Sequence, residues 1–120
     1  MDDRLEPRLR IFLGTTIAIG PGKAALLRAI AETGSIAAGG RRMGMSYRRS
    51  WLLVKTMNAC FREPLVAATK GGPGGGGAAL TPMGERVLAL YEEMEAAASQ
   101  AVAGRMRTLR GLMVDEPPTT

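Results

Sequence analysis

The sequence contains no histidine and a single cysteine, Cys60. Without histidine, His-containing zinc sites, Ser-His-Asp and Cys-His catalysis, and the usual near-neutral acid–base group are all excluded. One cysteine excludes an intramolecular disulfide framework. No apolar run approaches the roughly 18 residues that a membrane-spanning helix needs. The opening Met1-Asp2-Asp3-Arg4 is acidic and no apolar segment follows it, so no signal peptide is read. The expectation is a reduced, cytoplasmic protein with no membrane partner and no metal. There is no carboxylate pair suited to acid–base work and no nucleophile–base motif, so an enzyme is not expected. The run Gly71-Gly72-Pro73-Gly74-Gly75-Gly76-Gly77 leads into Ala78 without the Lys-Ser/Thr of a phosphate-binding loop. It reads instead as a pliant loop able to approach another backbone closely.

What is present is one domain's worth of chain: 120 residues, 46% apolar and 22% charged, the balance of a globular protein. The net charge is +5, and its distribution is uneven. Residues 41–70 hold Arg41, Arg42, Arg48, Arg49, Lys55, Arg62 and Lys70 against Glu63 alone, which exceeds the net charge of the whole chain. A basic block in a neutral frame is the footprint of a polyanion site. A solvated basic face and an anionic membrane surface are the alternatives.

Hydrophobic spacing gives a coarse element order. Residues 8–13 read as a half-buried strand, and residues 14–20 as a connection. Pro21 fits a first helical position, and a helix follows over 23–33, closed by Gly34. Ser35 caps a short helix over 36–43 that carries Gly39 and Gly40, each costing about 1 kcal/mol against alanine. Gly44 breaks the chain, and Ser46 caps a third helix over 47–62. Strands over 65–69 and 78–80 flank the glycine run as a hairpin. Thr81-Pro82 then opens a helix expected to continue to 110. Two helices across a tight turn, followed by a hairpin, form the winged helix-turn-helix pattern. The expected fold is therefore mostly α with a small β-hairpin: a winged helix-turn-helix over 8–81, a long dimerisation helix over 82–110, and a disordered tail over 111–120.

In such a fold the helix after the turn enters the DNA major groove. Here that helix begins Ser46-Tyr47-Arg48-Arg49, where the helix dipole and orphan N–H groups favour acids over arginines. A local rule broken in this way marks a functional site, since a phosphate or a guanine edge reverses the sign of the interaction. Arg48 and Arg49 are the expected base or phosphate contacts. Lys55, Arg41, Arg42 and Lys70 are expected to meet the DNA backbone. Tyr47 either donates to a phosphate or packs on the wing. Trp51 is expected in the core, and Cys60 as a buried, inert thiol. The long helix exceeds what so small a domain can cover, and its residues are small. Val87, Tyr91, Met94, Ala98, Ala101 and Val102 are therefore expected at a twofold dimer interface, unless the helix folds back on its own domain. A dimer would set two reading helices about 34 Å apart on one DNA face.

Several motifs resemble the N-terminal domain of ModE-type molybdate-responsive transcription regulators. They are Gly20-Pro21-Gly22-Lys23, Leu26-Leu27, Gly34-Ser35-Ile36, Met43-Gly44-Met45-Ser46-Tyr47-Arg48-Arg49-x-Trp51, Asn58, Glu63-Pro64-Leu65-Val66, the glycine run, and Leu80-Thr81-Pro82-x-Gly84. The resemblance keeps its order over residues 8–95, and the LysR type is more distantly similar. It implies a homodimeric, sequence-specific DNA-binding regulator, linked to molybdenum or oxyanion metabolism, whose Ser46 helix reads operator DNA and whose glycine hairpin is the wing. Two departures stand out: the family commonly has alanines at Gly39-Gly40 and at Ser50. Family members carry molybdate in C-terminal domains of the Mop type, which are absent up to Thr120. No cofactor is therefore expected here, and a separate effector-sensing partner is an open option. The competing reading is a protein-interaction or architectural module of the same fold without its own operator specificity.

Overall fold

The structure, a computed structural model, describes residues 5–69 and 77–119. Its elements run β1 (Ile11–Leu13), β2 (Thr16–Ile19), α1 (Pro21–Thr33), α2 (Ile36–Arg42), α3 (Tyr47–Cys60), β3 (Val66–Thr69), β4 (Gly77–Leu80) and α4 (Pro82–Gly111). The first hairpin corrects the expected single strand and loop: β1 and β2 pair antiparallel, with Leu13 opposite Thr16. Gly14 makes this tight turn possible, holding φ at 64°, where a side chain would be strained. Phe12 stands exposed on this hairpin rather than half-buried.

The core forms where the apolar stripe of α1 meets that of α3. Leu26, Leu27 and Ile30 are fully buried against Val54 and Met57, with Leu65, Leu88 and Tyr91 closing the cluster. Burying one such aliphatic side chain is worth about 2 kcal/mol. Helix ends are set by the expected caps. Ser35 accepts from Ala38 N at 3.0 Å, Ser46 from Arg49 N at 3.1 Å and Thr81 from Gly84 N at 3.0 Å.

The second hairpin is held at its base by side chains and backbone together. Val66 pairs with Leu80 and Ala67 with Ala79. Asn58, late in α3, accepts from Leu65 N at 2.8 Å and Val66 N at 3.2 Å, and its amide donates to Val66 O at 3.2 Å. On the other strand, Ala78 N donates to Gly34 O, the end of α1, at 2.9 Å. The hairpin base is thereby fixed to both α1 and α3.

Helix α4 is anchored only through its first turns. Tyr91 is 2% exposed, and its hydroxyl donates to Leu9 O at 2.7 Å and contacts Glu95 at 2.9 Å. Arg28 of α1 grips both carboxylate oxygens of Glu92 at 2.8 and 2.7 Å, although half-exposure limits this pair to about 1 kcal/mol. Beyond Tyr91 no described residue of α4 is buried. The molecule is accordingly elongated, 55 × 31 × 25 Å. Among the described residues after Gly111 there is no helix or strand, and the Arg110 side chain donates to the carbonyls of Val114 and Asp115.

Candidate nucleic-acid interface

The unit formed by α2, the turn at Gly44 and α3 is packed unusually closely. Gly39 and Gly40 are buried, and they face different partners. A Cβ on Gly39 would lie 3.0 Å from Ile30 of α1, and one on Gly40 only 1.9 Å from the Ser50 hydroxyl. Ser50 itself is fully buried and donates to Ser46 O at 2.9 Å. The two glycines therefore accept a propensity cost so that α2 can sit against both neighbours. Of the two, it is Gly40 that is fitted to Ser50. Met45 N donates to Gly40 O at 2.8 Å, closing the turn and setting the direction in which α3 leaves it.

The faces of α3 are sharply divided. Ser50, Val54 and Met57, at i, i+4 and i+7, form the buried stripe. Arg48, Leu52 and Lys55 have the same spacing on the opposite side, and all are exposed. Arg49 flanks that outer row on one side, while Tyr47 and Trp51 flank it on the other. Trp51 is 43% exposed, which corrects its expected place in the core: the stripe Ser50–Val54–Met57 already fills that contact.

The cations gather around the capped start of α3. Arg41, Arg48, Arg49 and Lys55 are exposed and make no ion pair or side-chain hydrogen bond with other described residues. Arg42 is also exposed but pairs with Glu32 of α1. Such a surface pair is weak and easily exchanged for another anion. Arg48 and Arg49 stand in the first turn, beside the unpaired N–H groups and the positive end of the helix dipole. An anion brought there meets cations, dipole and free donors together. Lys70 and the glycine run 71–76 lie outside the described residues.

Three sequence expectations change in detail. Tyr91 is not available to a partner, because it is buried in its own domain against Leu9 and Glu95. Val87 packs partly on the same core, whereas Met94, Ala98, Ala101 and Val102 lie beyond it, exposed or half-buried. Cys60 is half-buried rather than buried. Close by, Lys23 donates to Ile17 O, and burial pushes its pKa below the usual lysine value. The described residues contain no cluster of three or more metal-ligating side chains and no helix long and apolar enough to cross a membrane.

A basic helix after a tight turn, beside a hairpin and joined to one long helix, defines a winged helix-turn-helix. The solved structure of ArgP from Mycobacterium tuberculosis, a LysR-type regulator, has the same fold. It matches 71% of this chain and 30% of its own length, at a TM-score of 0.51 and 21% identity. No family model matches the chain.

Curated relatives give the closer relationship, and they bear out the resemblance to ModE-type regulators. The molybdenum-pterin-binding protein MopB of Rhodobacter capsulatus is 41% identical over 95 residues, 79% of this chain and 35% of that protein. The DNA-binding transcriptional dual regulator ModE of Escherichia coli K12 is 42% identical over 87 residues, 72% of this chain and 33% of that protein. The chain thus spans about one third of the length of the curated relatives it matches. None of these relatives is named as an enzyme.

Proposed function

We propose that this chain is the DNA-reading part of a ModE-type transcription regulator and acts as a cytoplasmic homodimer. In this reading α3 enters the major groove. Arg48 and Arg49 meet base edges or phosphates, Arg41, Arg42, Lys55 and Lys70 meet the backbone, and the β3–β4 hairpin is the wing. The observation that carries it is the group of exposed arginines at the start of α3 without anionic partners among the described residues. A fold gains nothing from placing cations at that helix end, whereas a nucleic acid does. The names of the relatives support a regulatory setting tied to molybdenum. We propose no cofactor for residues 8–95.

Dimerisation rests on α4. Its acidic residues Glu92, Glu93 and Glu95 precede Arg105, Arg107 and Arg110, with Ala96, Ala97, Ala98, Ala101 and Ala103 between them. A second α4 laid antiparallel sets acids against arginines twice over. The small residues between them permit close helix approach.

The test is selection of duplexes from a random pool at two salt concentrations. An enriched inverted repeat is expected, with affinity falling steeply with salt as two copies of Arg41, Arg48, Arg49 and Lys55 displace counterions. On the selected site, Arg48→Ala and Arg49→Ala should each cost about 1–3 kcal/mol if they read bases. Unchanged binding by both variants would remove α3 as the reading helix. No binding at low salt would favour the protein-interaction module instead, and steeply salt-dependent but unselective binding would favour an architectural role.

A further inference from the structure

Three surfaces carry side chains that the reading above leaves without a stated role. Two flank α4: an apolar groove of about 310 Å³ lined by Phe12, Leu13, Leu90 and Met94, and an open cleft of about 890 Å³ between Leu5–Arg8 and the helix's second half. Both adjoin the pairing surface already described. The third is the outer face of α3, and its chemistry points to a single class of ligand.

Leu52 is 53% exposed in the middle of that face. At about 100° per residue it lies between Arg48 and Arg49 in helical projection, roughly 40° from one and 60° from the other. Lys55 follows three residues later on the same side. An aliphatic side chain among cations is out of place on a solvated face. It is equally unneeded in the core, where Ser50, Val54 and Met57 supply the inward stripe. The surrounding positive charge selects a polyanion, and the apolar centre selects an apolar group on it. In the major groove of duplex DNA one base-pair substituent meets both demands, the C5-methyl of thymine.

We infer that Leu52 is a specificity-determining residue that packs on a thymine 5-methyl group in the major groove, an inference that rests on α3 being the reading helix. The arginines on either side hold the helix at the depth where that contact forms. Trp51 and Tyr47 are exposed one turn apart on the flank of this row.

The test uses the full chain and the duplex it selects, with each thymine replaced in turn by deoxyuridine, which removes only the methyl. At one thymine per half-site the wild-type protein should lose about fourfold in affinity, the worth of one buried methyl. Leu52→Ala should bind the methylated and unmethylated duplexes alike. Its melting temperature should match the wild type, because the side chain is outside the core. Arg48→Ala should bind more weakly yet keep the response to the methyl. The inference is overturned by a selected site lacking a constant thymine, by wild-type indifference to every replacement, or by an equal loss in Leu52→Ala. Full binding by both Arg48→Ala and Arg49→Ala would instead overturn the reading of α3, and absence of any duplex binding would overturn both.

Discussion

At the scale of single residues, the helix-turn-helix depends on a fitted pair. Gly40 leaves no room for a Cβ because the Ser50 hydroxyl would lie 1.9 Å and the Ser50 Cβ 2.9 Å from it. Alanine at Gly40 gains about 1 kcal/mol of helix propensity and meets a hard overlap, and overpacking of this kind costs about 1–3 kcal/mol. Ser50→Ala is cheap by comparison, since Ser46 O still accepts the Ser50 amide at 3.0 Å. Gly40→Ala alone should therefore destabilise the protein. Adding Ser50→Ala removes the closer overlap and keeps the Cβ contact, so it should recover part of the loss, about 1 kcal/mol, as a coupling energy. Denaturant unfolding of the two single variants and the double variant measures it, and additive effects would show that the pair is not coupled. Gly40 and Ser50 are each plain in the sequence. That they compensate each other is not, because ten residues separate them and only the crossing of α2 and α3 brings them together.

At the scale of elements, most of what sequence spacing can encode was legible. The caps Ser35, Ser46 and Thr81, the two α3 faces and the second hairpin follow from local chemistry and period. The first hairpin was missed although its signal is present: Gly14-Thr15 between Leu13 and Thr16 is a two-residue turn with glycine at the position needing positive φ. Size and apolarity argue for burial of Trp51, whereas helical phase turns it off the core stripe. Tyr91 differs for the opposite reason. It lies on the α4 stripe, but the strand leading from Leu9 covers it.

That covering contact has a pH signature. Burial, and then the hydrogen bond with Glu95, push the Tyr91 hydroxyl up to about 12 from an ordinary value of 10.0. The fold therefore prefers the neutral phenol. Its contribution is present in full below pH 10 and is lost as pH rises from 10 toward 12. Tyr91→Phe should be less stable than wild type at pH 8 by about 1 kcal/mol, the usual worth of the lost hydrogen bond. The gap should narrow over that alkaline window. Urea unfolding of both proteins across the window measures the difference, and parallel curves would show that Tyr91 does not titrate with unfolding.

At the scale of the whole molecule, the shape itself calls for a partner surface. A domain of this length has an expected radius of gyration of about 13.6 Å if compact. The observed value is 17.1 Å, because α4 continues for twenty residues past its last buried side chain, Tyr91. The stripe that begins with Leu88 and Tyr91 continues through Met94, Ala98 and Val102 with no core beneath it. With two α4 helices crossing antiparallel near residue 100 on that stripe, Glu95 of each falls opposite Arg105 of the other, since both flank the stripe at about 100° per residue. Arg105→Glu then sets acid against acid at both ends of the crossing, and Glu95→Arg added to it restores opposite charges. Exposed pairs are worth about 0.2–1 kcal/mol each, so replacing two attractions by two repulsions should weaken the dimer about tenfold at low ionic strength. The double variant should return close to the wild type, and added salt should shrink both differences as screening grows. Sedimentation equilibrium over a concentration series reads the constants directly. A wild-type monomer at every concentration would remove the dimer, whereas a dimer indifferent to Arg105→Glu would keep the dimer and remove the antiparallel crossing. A dimer weakened by Arg105→Glu and rescued by Glu95→Arg would fix the register of the helices, and with it the spacing at which two copies of α3 meet the DNA.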